Sequence, residues 1–230
     1  MKYFNNRFLA ISLCLLIFFA GESIAQDYNP KTFEKEISGF DQKDALEGVK
    51  SGSNLFVGSS TLRMWPDMQS YFPKAYVINR GFGGSKFEDL LYYADRAVTP
   101  YRPAKIFIYE GDNDIAAGIS IEVILKQAKQ LREKIRAALP GVPVVFIGAK
   151  PSVARWHLKD KYEEFNKALK AYSKKSKKTQ FVDMWAPMLD KDGMVYKDIF
   201  LQDNLHMKPE GYKIWQKVLS PYLINNNFPK

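Results

Sequence analysis

A serine hydroxyl becomes an effective nucleophile only when a base takes its proton as it attacks, and histidine, with an ordinary pKa of about 6.5, suits that task. The chain has two histidines. His157 opens a charged segment and reads as a surface or capping residue. His206 follows Asp203 by three residues, a spacing that lets the carboxylate accept the imidazole Nδ1–H while Nε2 faces a nucleophile. The serine best placed to be that nucleophile is Ser60, in the turn Gly58-Ser59-Ser60. Attack on an ester carbonyl creates an oxyanion, which needs donors placed in advance. Three are available on three turns: the N–H of Ser60, the N–H of Gly84 just before a predicted helix, and the side-chain amide of Asn113. Each residue also has a plainer reading when taken singly. Gly84 could serve a positive φ, Asn113 an Asx turn and Asp203 a helix cap.

Residues so far apart in sequence can act together only if the fold gathers them. The apolar run Leu55-Phe56-Val57, closed by Gly58, fits a strand buried on both faces of a parallel sheet. Further strands are expected at residues 75–79, 105–109, 144–147 and 180–184. Between them lie helical patterns: a segment from Ser60 to near Tyr71, a helix after Ser85 capped by the pair Ser85 and Glu88, and a long amphipathic helix over 121–139 stopped by Pro140-Gly141. A charged helix ends near Ser176, and a last helix begins at Pro209. Residues 26–53 read as an arm or short helix. Strands alternating with helices predict an α/β fold, a three-layer α/β/α sandwich around a five-stranded parallel sheet, flavodoxin-like. In that topology every strand-to-helix turn lies on one edge of the sheet, so Ser60, Gly84, Asn113 and the polar loop carrying Asp203 and His206 should converge there.

The order of these blocks resembles the SGNH hydrolases, the GDSL-type esterase and lipase family, over nearly all of the chain after residue 25. Gly58-Ser59-Ser60 is similar to the first block, Asn79-Arg80-Gly81-Phe82-Gly83-Gly84 to the second, Gly111-Asp112-Asn113-Asp114 to the third and Asp203-Asn204-Leu205-His206 to the last. The resemblance implies Ser60 as nucleophile, Gly84 and Asn113 completing the oxyanion hole with Ser60, and Asp203 and His206 completing the triad. One position departs: the family usually carries aspartate before the nucleophile, where this chain has Ser59.

Residues 1–25 read as a signal peptide, with Lys2 and Arg7 ahead of an apolar stretch over 8–20 and a small-residue cleavage site ending at Ala25. The expectation is a protein exported to the periplasm or medium, leaving residues 26–230 as one SGNH hydrolase domain. Cys14, the single cysteine, falls inside the removed segment, which excludes disulfides and thiolate chemistry from the mature chain. No integral membrane span is expected, since the apolar stretch is shorter than the roughly 20 residues a crossing needs. The formal charge is +9, and +8 once Lys2, Arg7 and Glu22 are gone. Much of the excess lies between Lys167 and Lys178, which reads as a solvated helix end and offers at most weak contact with anionic surfaces. Nothing there alternates aromatic and base-reading residues, so nucleic acid is not expected.

No cofactor and no metal are expected. The glycines of 81–84 lack the dinucleotide fingerprint, position 62 is leucine where a G-x-S-x-G elbow needs glycine, and two separated histidines make a poor zinc set. Glu110, Asp112 and Asp114 read as a polar turn. The function expected is hydrolysis of short acyl or acetyl esters, including esters on glycans, through an acyl-enzyme on Ser60. Lysophospholipid or thioester hydrolysis by the same chemistry, and a non-catalytic glycan-binding module, are the alternatives. Trp65, Phe82, Arg155 and Trp156 are expected to shape the substrate pocket.

Overall fold

The computed structural model describes residues 28–65 and 67–226; the expected signal peptide and Cys14 lie outside the described residues. The element order is α1 (Glu34–Glu47), β1 (Asn54–Gly58), α2 (Ser60–Arg63), α3 (Met68–Tyr71), β2 (Val77–Gly81), α4 (Phe87–Ala97), β3 (Lys105–Tyr109), α5 (Asp112–Ala116), α6 (Ile121–Ala138), β4 (Val144–Ile147), α7 (Lys159–Lys175), β5 (Thr179–Val182) and α8 (Pro209–Leu219). The five strands form one sheet in the order β2-β1-β3-β4-β5, parallel throughout.

Strand alternation divides the core into two layers. Leu55, Val57, Ile106, Ile108, Val144 and Phe146 face α1, α4, α6 and α7. Phe56, Phe107, Tyr109, Val145 and Ile147 face α2, α3 and α8. This is the three-layer sandwich, and it explains why the central strands read as unbroken apolar runs: both faces are covered. On the second face the Phe56 and Phe107 rings stack with centroids 4.4 Å apart. The chain leaves β1 toward β2 on one side and returns through β3 on the other, so the crevice at the carboxyl ends of β1 and β3 is the topological switch point.

Three local readings are corrected. β2 runs two residues further than expected, to Gly81, because Arg80 and Gly81 keep register with Val57 and Gly58. β5 begins at Thr179 and ends at Val182, where Asp183 turns the chain by accepting the Trp185 N–H at 2.8 Å. The Ser85–Glu88 capping box is absent. The cap lies one residue later, at Lys86, with the Asp89 carboxylate accepting the Lys86 N–H at 2.9 Å, while Ser85 is buried and turned elsewhere. Residues 34–47 form a full helix that buries only Ile37 and is tied down by ion pairs from Arg96 to Glu34 and Asp41 and from Arg80 to Asp44.

Candidate active site

The turn after β1 is built around Gly58. Its φ is +139°, and a Cβ there would lie 2.1 Å from the Tyr109 carbonyl oxygen of the neighbouring strand. Only glycine allows this approach, which lets Ser59 N–H donate to that carbonyl at 3.1 Å and starts α2 at Ser60. The next turn is tied in by Phe82 N–H, which donates to Gly58 O at 2.8 Å. Ser60 is half-buried, and its Oγ lies 2.9 Å from His206 Nε2.

His206 is held from the other side by Asp203, whose Oδ2 lies 2.6 Å from Nδ1. Asp203 Oδ1 also accepts the backbone N–H groups of Leu205 and His206, both at 2.9 Å. Partial burial opposes ionisation, but the imidazole and these two N–H groups outweigh it and hold the carboxyl at about 2. The carboxylate is therefore charged throughout the neutral range and fixes the proton on Nδ1, leaving Nε2 free to accept from Ser60. The loop bearing the pair is ordered by short bridges, Leu189 with Val195 and Phe200 with Met207, and Asn204 sits at φ +56°.

Asn113 completes the arrangement from the turn after β3. Its Nδ2 donates to Ser59 Oγ at 2.7 Å and to Ser85 O at 3.0 Å, and its Oδ1 accepts from Arg155 at 2.9 Å. A Cβ added at Gly84 would stand 3.7 Å from Asn113 Nδ2, so Gly84 borders the same spot. The N–H groups of Ser60 and Gly84 have no acceptor among the described residues. Ser59 thus supports the turn without a carboxylate: its buried hydroxyl accepts from the Asn113 amide. A neutral hydroxyl competes for that N–H less strongly than a charged aspartate would.

The acidic turn of 110–114 resolves into separate structural roles. Glu110 is buried and accepts the Ser85 hydroxyl at 2.7 Å; burial, then the nearby Asp114, push its carboxyl well above the ordinary range. Asp114 accepts the N–H groups of Phe87 and Gly111, both at 3.1 Å, and burial raises it to about 7. Asp112, also buried, accepts the hydroxyls of Tyr109 at 2.9 Å and Tyr162 at 2.5 Å and pairs with Arg155. Among the described residues no group of three or more His, Cys, Asp or Glu side chains is arranged to hold a metal ion, and no helix is long and apolar enough to cross a membrane.

Two residues expected in a substrate pocket are core residues instead. Trp65 is 2% exposed and stacks on Tyr212 with centroids 4.9 Å apart. Phe82 is fully buried and meets Phe33 and Tyr93 edge-on. Both aromatics follow site turns, but their side chains point into the two core layers. Trp156 is half-buried and stacks on Trp185, while the Arg155 guanidinium is spent on Asp112 and Asn113. His157 is exposed in the middle of the short helical turn Trp156–Leu158.

Sequence reasoning passed over Lys150. It is buried just beyond β4 and donates from Nζ to Leu205 O at 2.7 Å, anchoring the loop that carries His206. A second tie runs from Ala154 N–H to Asn204 O at 3.0 Å. The available signal was its position: a lysine three residues past an all-apolar strand falls on the same sheet edge. Burial, the largest influence, lowers the Lys150 ammonium to about 8; Asp112 pulls it up, Arg155 pushes it down and Asp203 pulls it up. Between about 8 and the unfolded value of about 10.5 the unfolded chain holds a proton that the native one lacks, so this group makes stability rise with pH across that window. Urea unfolding at both ends of the window should therefore show wild type gaining up to about 3 kcal/mol relative to Lys150→Met as pH rises. A pH-independent difference between the two proteins would contradict the assignment.

No curated protein sequence matches this chain significantly. Solved structures share its fold at low identity. A Streptococcus pneumonia protein whose name refers to platelet activating factor superposes with TM-score 0.76 at 22% identity, covering 84% of this chain and 94% of its own. A GDSL-like lipase from Bacteroides thetaiotaomicron gives 0.67 at 19% identity over 81% of this chain and 96% of its own. A catalytic mutant of an acetylxylan esterase from Geobacillus stearothermophilus gives 0.61 at 13% identity over 79% of this chain and 99% of its own. The sequence model of the GDSL-like lipase/acylhydrolase family matches residues 19–214, a span that contains every site residue described above. The chain therefore belongs to the GDSL-like lipase/acylhydrolase family and is a serine hydrolase that acts on esters.

Proposed function

We propose that this chain is an exported esterase that removes short acyl groups, acetyl above all, from esters including those on glycans, through an acyl-enzyme on Ser60. The observation that carries the reading is the unbroken line Ser60 Oγ to His206 Nε2, 2.9 Å, and His206 Nδ1 to Asp203 Oδ2, 2.6 Å. Ser60 Oγ attacks the acyl carbonyl carbon as Nε2 takes its proton. The carbonyl oxygen becomes an oxyanion facing the N–H groups of Ser60 and Gly84 and the amide of Asn113. Collapse expels the alcohol, which takes the proton back from Nε2. Water then repeats the sequence on the ester at Ser60 and releases the acid.

The site is open to the surface: Gly84 and Asp203 are exposed, and Ser60 and His206 only half-buried. Such a site suits an ester carried on a large alcohol better than a long acyl chain, which needs an enclosed apolar pocket. An acetylxylan esterase shares the fold, which makes acetylated glycans the first substrate class to test. Export rests on the N-terminal segment described above. The exposed lysines from Lys167 to Lys178 add weak attraction to anionic surfaces. Activity on p-nitrophenyl esters of rising chain length and on acetylated xylo-oligosaccharides tests the reading. Highest kcat/KM on acetyl esters supports it, whereas a preference for long acyl chains or lysophospholipid overturns the substrate assignment.

Asn113→Ala removes one oxyanion donor and should lower kcat on p-nitrophenyl acetate by about 10²–10³-fold. Retention of near-normal turnover in folded Asn113→Ala would remove Asn113 from the hole.

A further inference from the structure

We propose that Arg155 is the positioning residue of the oxyanion hole, holding the Asn113 amide with its NH₂ toward the Ser59-Ser60 turn and the Ser85 carbonyl; this rests on the esterase reading above.

The carboxamide of asparagine is nearly symmetric in shape, and rotation of its last torsion by half a turn exchanges oxygen and nitrogen. In one orientation Asn113 offers N–H to a developing oxyanion. In the other it offers a carbonyl oxygen, which repels that charge. Its surroundings decide which is adopted. The Ser59 hydroxyl, 2.7 Å away, is indifferent, since a hydroxyl can donate or accept. The Ser85 carbonyl oxygen, 3.0 Å from Nδ2, can only accept and favours the working orientation. On the opposite side the Arg155 guanidinium, 2.9 Å from Oδ1, can only donate. Flipping the amide would set its NH₂ against this cation, donor against donor, with no neutral form of arginine to relieve it. Ser85 O alone supplies one neutral hydrogen bond; the contact from Arg155 is charge-assisted and stronger. It also draws electron density toward Oδ1, which makes the Nδ2–H groups better donors.

Arg155 is itself held in place. Its second nitrogen donates to Asp112 O at 3.1 Å and pairs with Asp112 Oδ1. Asp112 is fixed by the hydroxyls of Tyr109 at 2.9 Å and Tyr162 at 2.5 Å, from β3 and α7. Its carboxyl is lowered despite burial because Lys150 and Arg155 lie close by. The guanidinium side chain is only 17% exposed. A rigid, planar fork gripped by a buried carboxylate at one prong sets the other prong on Asn113 Oδ1, and a lysine, with one compact ammonium, cannot bridge both in this way.

The test is a double-mutant cycle on p-nitrophenyl acetate with Arg155→Ala, Arg155→Lys, Asn113→Ala and the Asn113→Ala pairs. Arg155→Ala should lower kcat about 10- to 100-fold with KM changed less than about threefold, as expected for a misplaced donor that acts in the transition state. Arg155→Lys should fall between Arg155→Ala and wild type. In the Asn113→Ala background either Arg155 change should cost nothing more, because the group it positions is gone. Guanidinium ion at millimolar concentration should restore part of kcat to Arg155→Ala and none to the double variant. Additive losses from Arg155→Ala and Asn113→Ala, or a raised KM with intact kcat, would overturn the proposal while leaving the esterase reading standing; the raised KM would return Arg155 to direct substrate contact. An unimpaired Asn113→Ala would overturn the hole itself, and this proposal with it. If Arg155→Ala fails to fold, the Arg155→Lys cycle decides by the same criterion of additivity.

Discussion

Replacement of Ser60 by alanine is expected to lower kcat on p-nitrophenyl acetate on the order of 10⁴- to 10⁶-fold while leaving a protein of unchanged stability. The two halves of this expectation have separate causes. Among the described residues Ser60 Oγ has one hydrogen-bond partner, His206 Nε2, and Ser60 belongs to neither core cluster. Alanine is at least as good a helix former at the start of α2, so unfolding should shift by less than about 0.5 kcal/mol. With Ser60 as the proposed nucleophile, the chemistry loses it outright, and the residual rate is what oxyanion donors and substrate binding sustain without it. On the proposed mechanism Ser60 and His206 act as a unit, so Ser60→Ala/His206→Ala should be no slower than the poorer single variant. Kinetics and thermal melts of the three variants check this, and multiplicative losses would contradict the pairing.

The second large effect is expected from Asp203→Asn, about 10⁴-fold in kcat, by way of a proton placed on the wrong nitrogen. Asp203 Oδ1 accepts two backbone N–H groups, from Leu205 and His206, and Oδ2 faces His206 Nδ1. In the asparagine variant the amide oxygen keeps the two backbone donors, which sets its NH₂ against Nδ1. That nitrogen must then accept, the imidazole proton moves to Nε2, and Nε2 can no longer take the proton of Ser60. The loop should remain folded, because both backbone bonds survive. Asp203→Asn is thus expected to be nearly inactive with a native melting profile; turnover within tenfold of wild type would show that the tautomer is fixed by something else.

How much of this was legible beforehand differs from residue to residue. The central strands declared themselves because burial on both faces demands unbroken apolar runs, and Lys105–Tyr109 and Val144–Ile147 lie where the pattern puts them. Edge elements were less legible. β2 borrows Arg80 and Gly81, whose polarity and flexibility speak against a strand, because register with β1 outweighs local preference. Helix α1 buries one apolar residue and is held by ion pairs to partners 36 to 62 residues away, which no local periodicity encodes. Ser85 looked like a helix cap from its spacing, yet Glu110, 25 residues on, takes its hydroxyl.

The same division holds within the site. The turns carrying Ser60, Gly84, Asn113, Asp203 and His206 were visible because their composition stands out, and the fold brings them together at one edge, as parallel topology predicts. Their supports were not visible. Lys150, Tyr109 and Tyr162 reach the site from a strand end, a strand and a helix, and only the packed fold reveals what they hold. Trp65 and Phe82 were misplaced for the opposite reason, since an aromatic beside a site turn has the same sequence signature whether it lines a pocket or fills a core.

On the proposed mechanism every acyl group passes through Ser60. Rapid acid quenching of the enzyme during turnover of p-nitrophenyl acetate, followed by peptide mapping, tests it directly. The expected result is one acetyl group on the peptide containing Ser60, formed within the first turnover and absent from Ser60→Ala. Ester hydrolysis that proceeds with no acetyl on that peptide, or with acetyl on another residue, would contradict it.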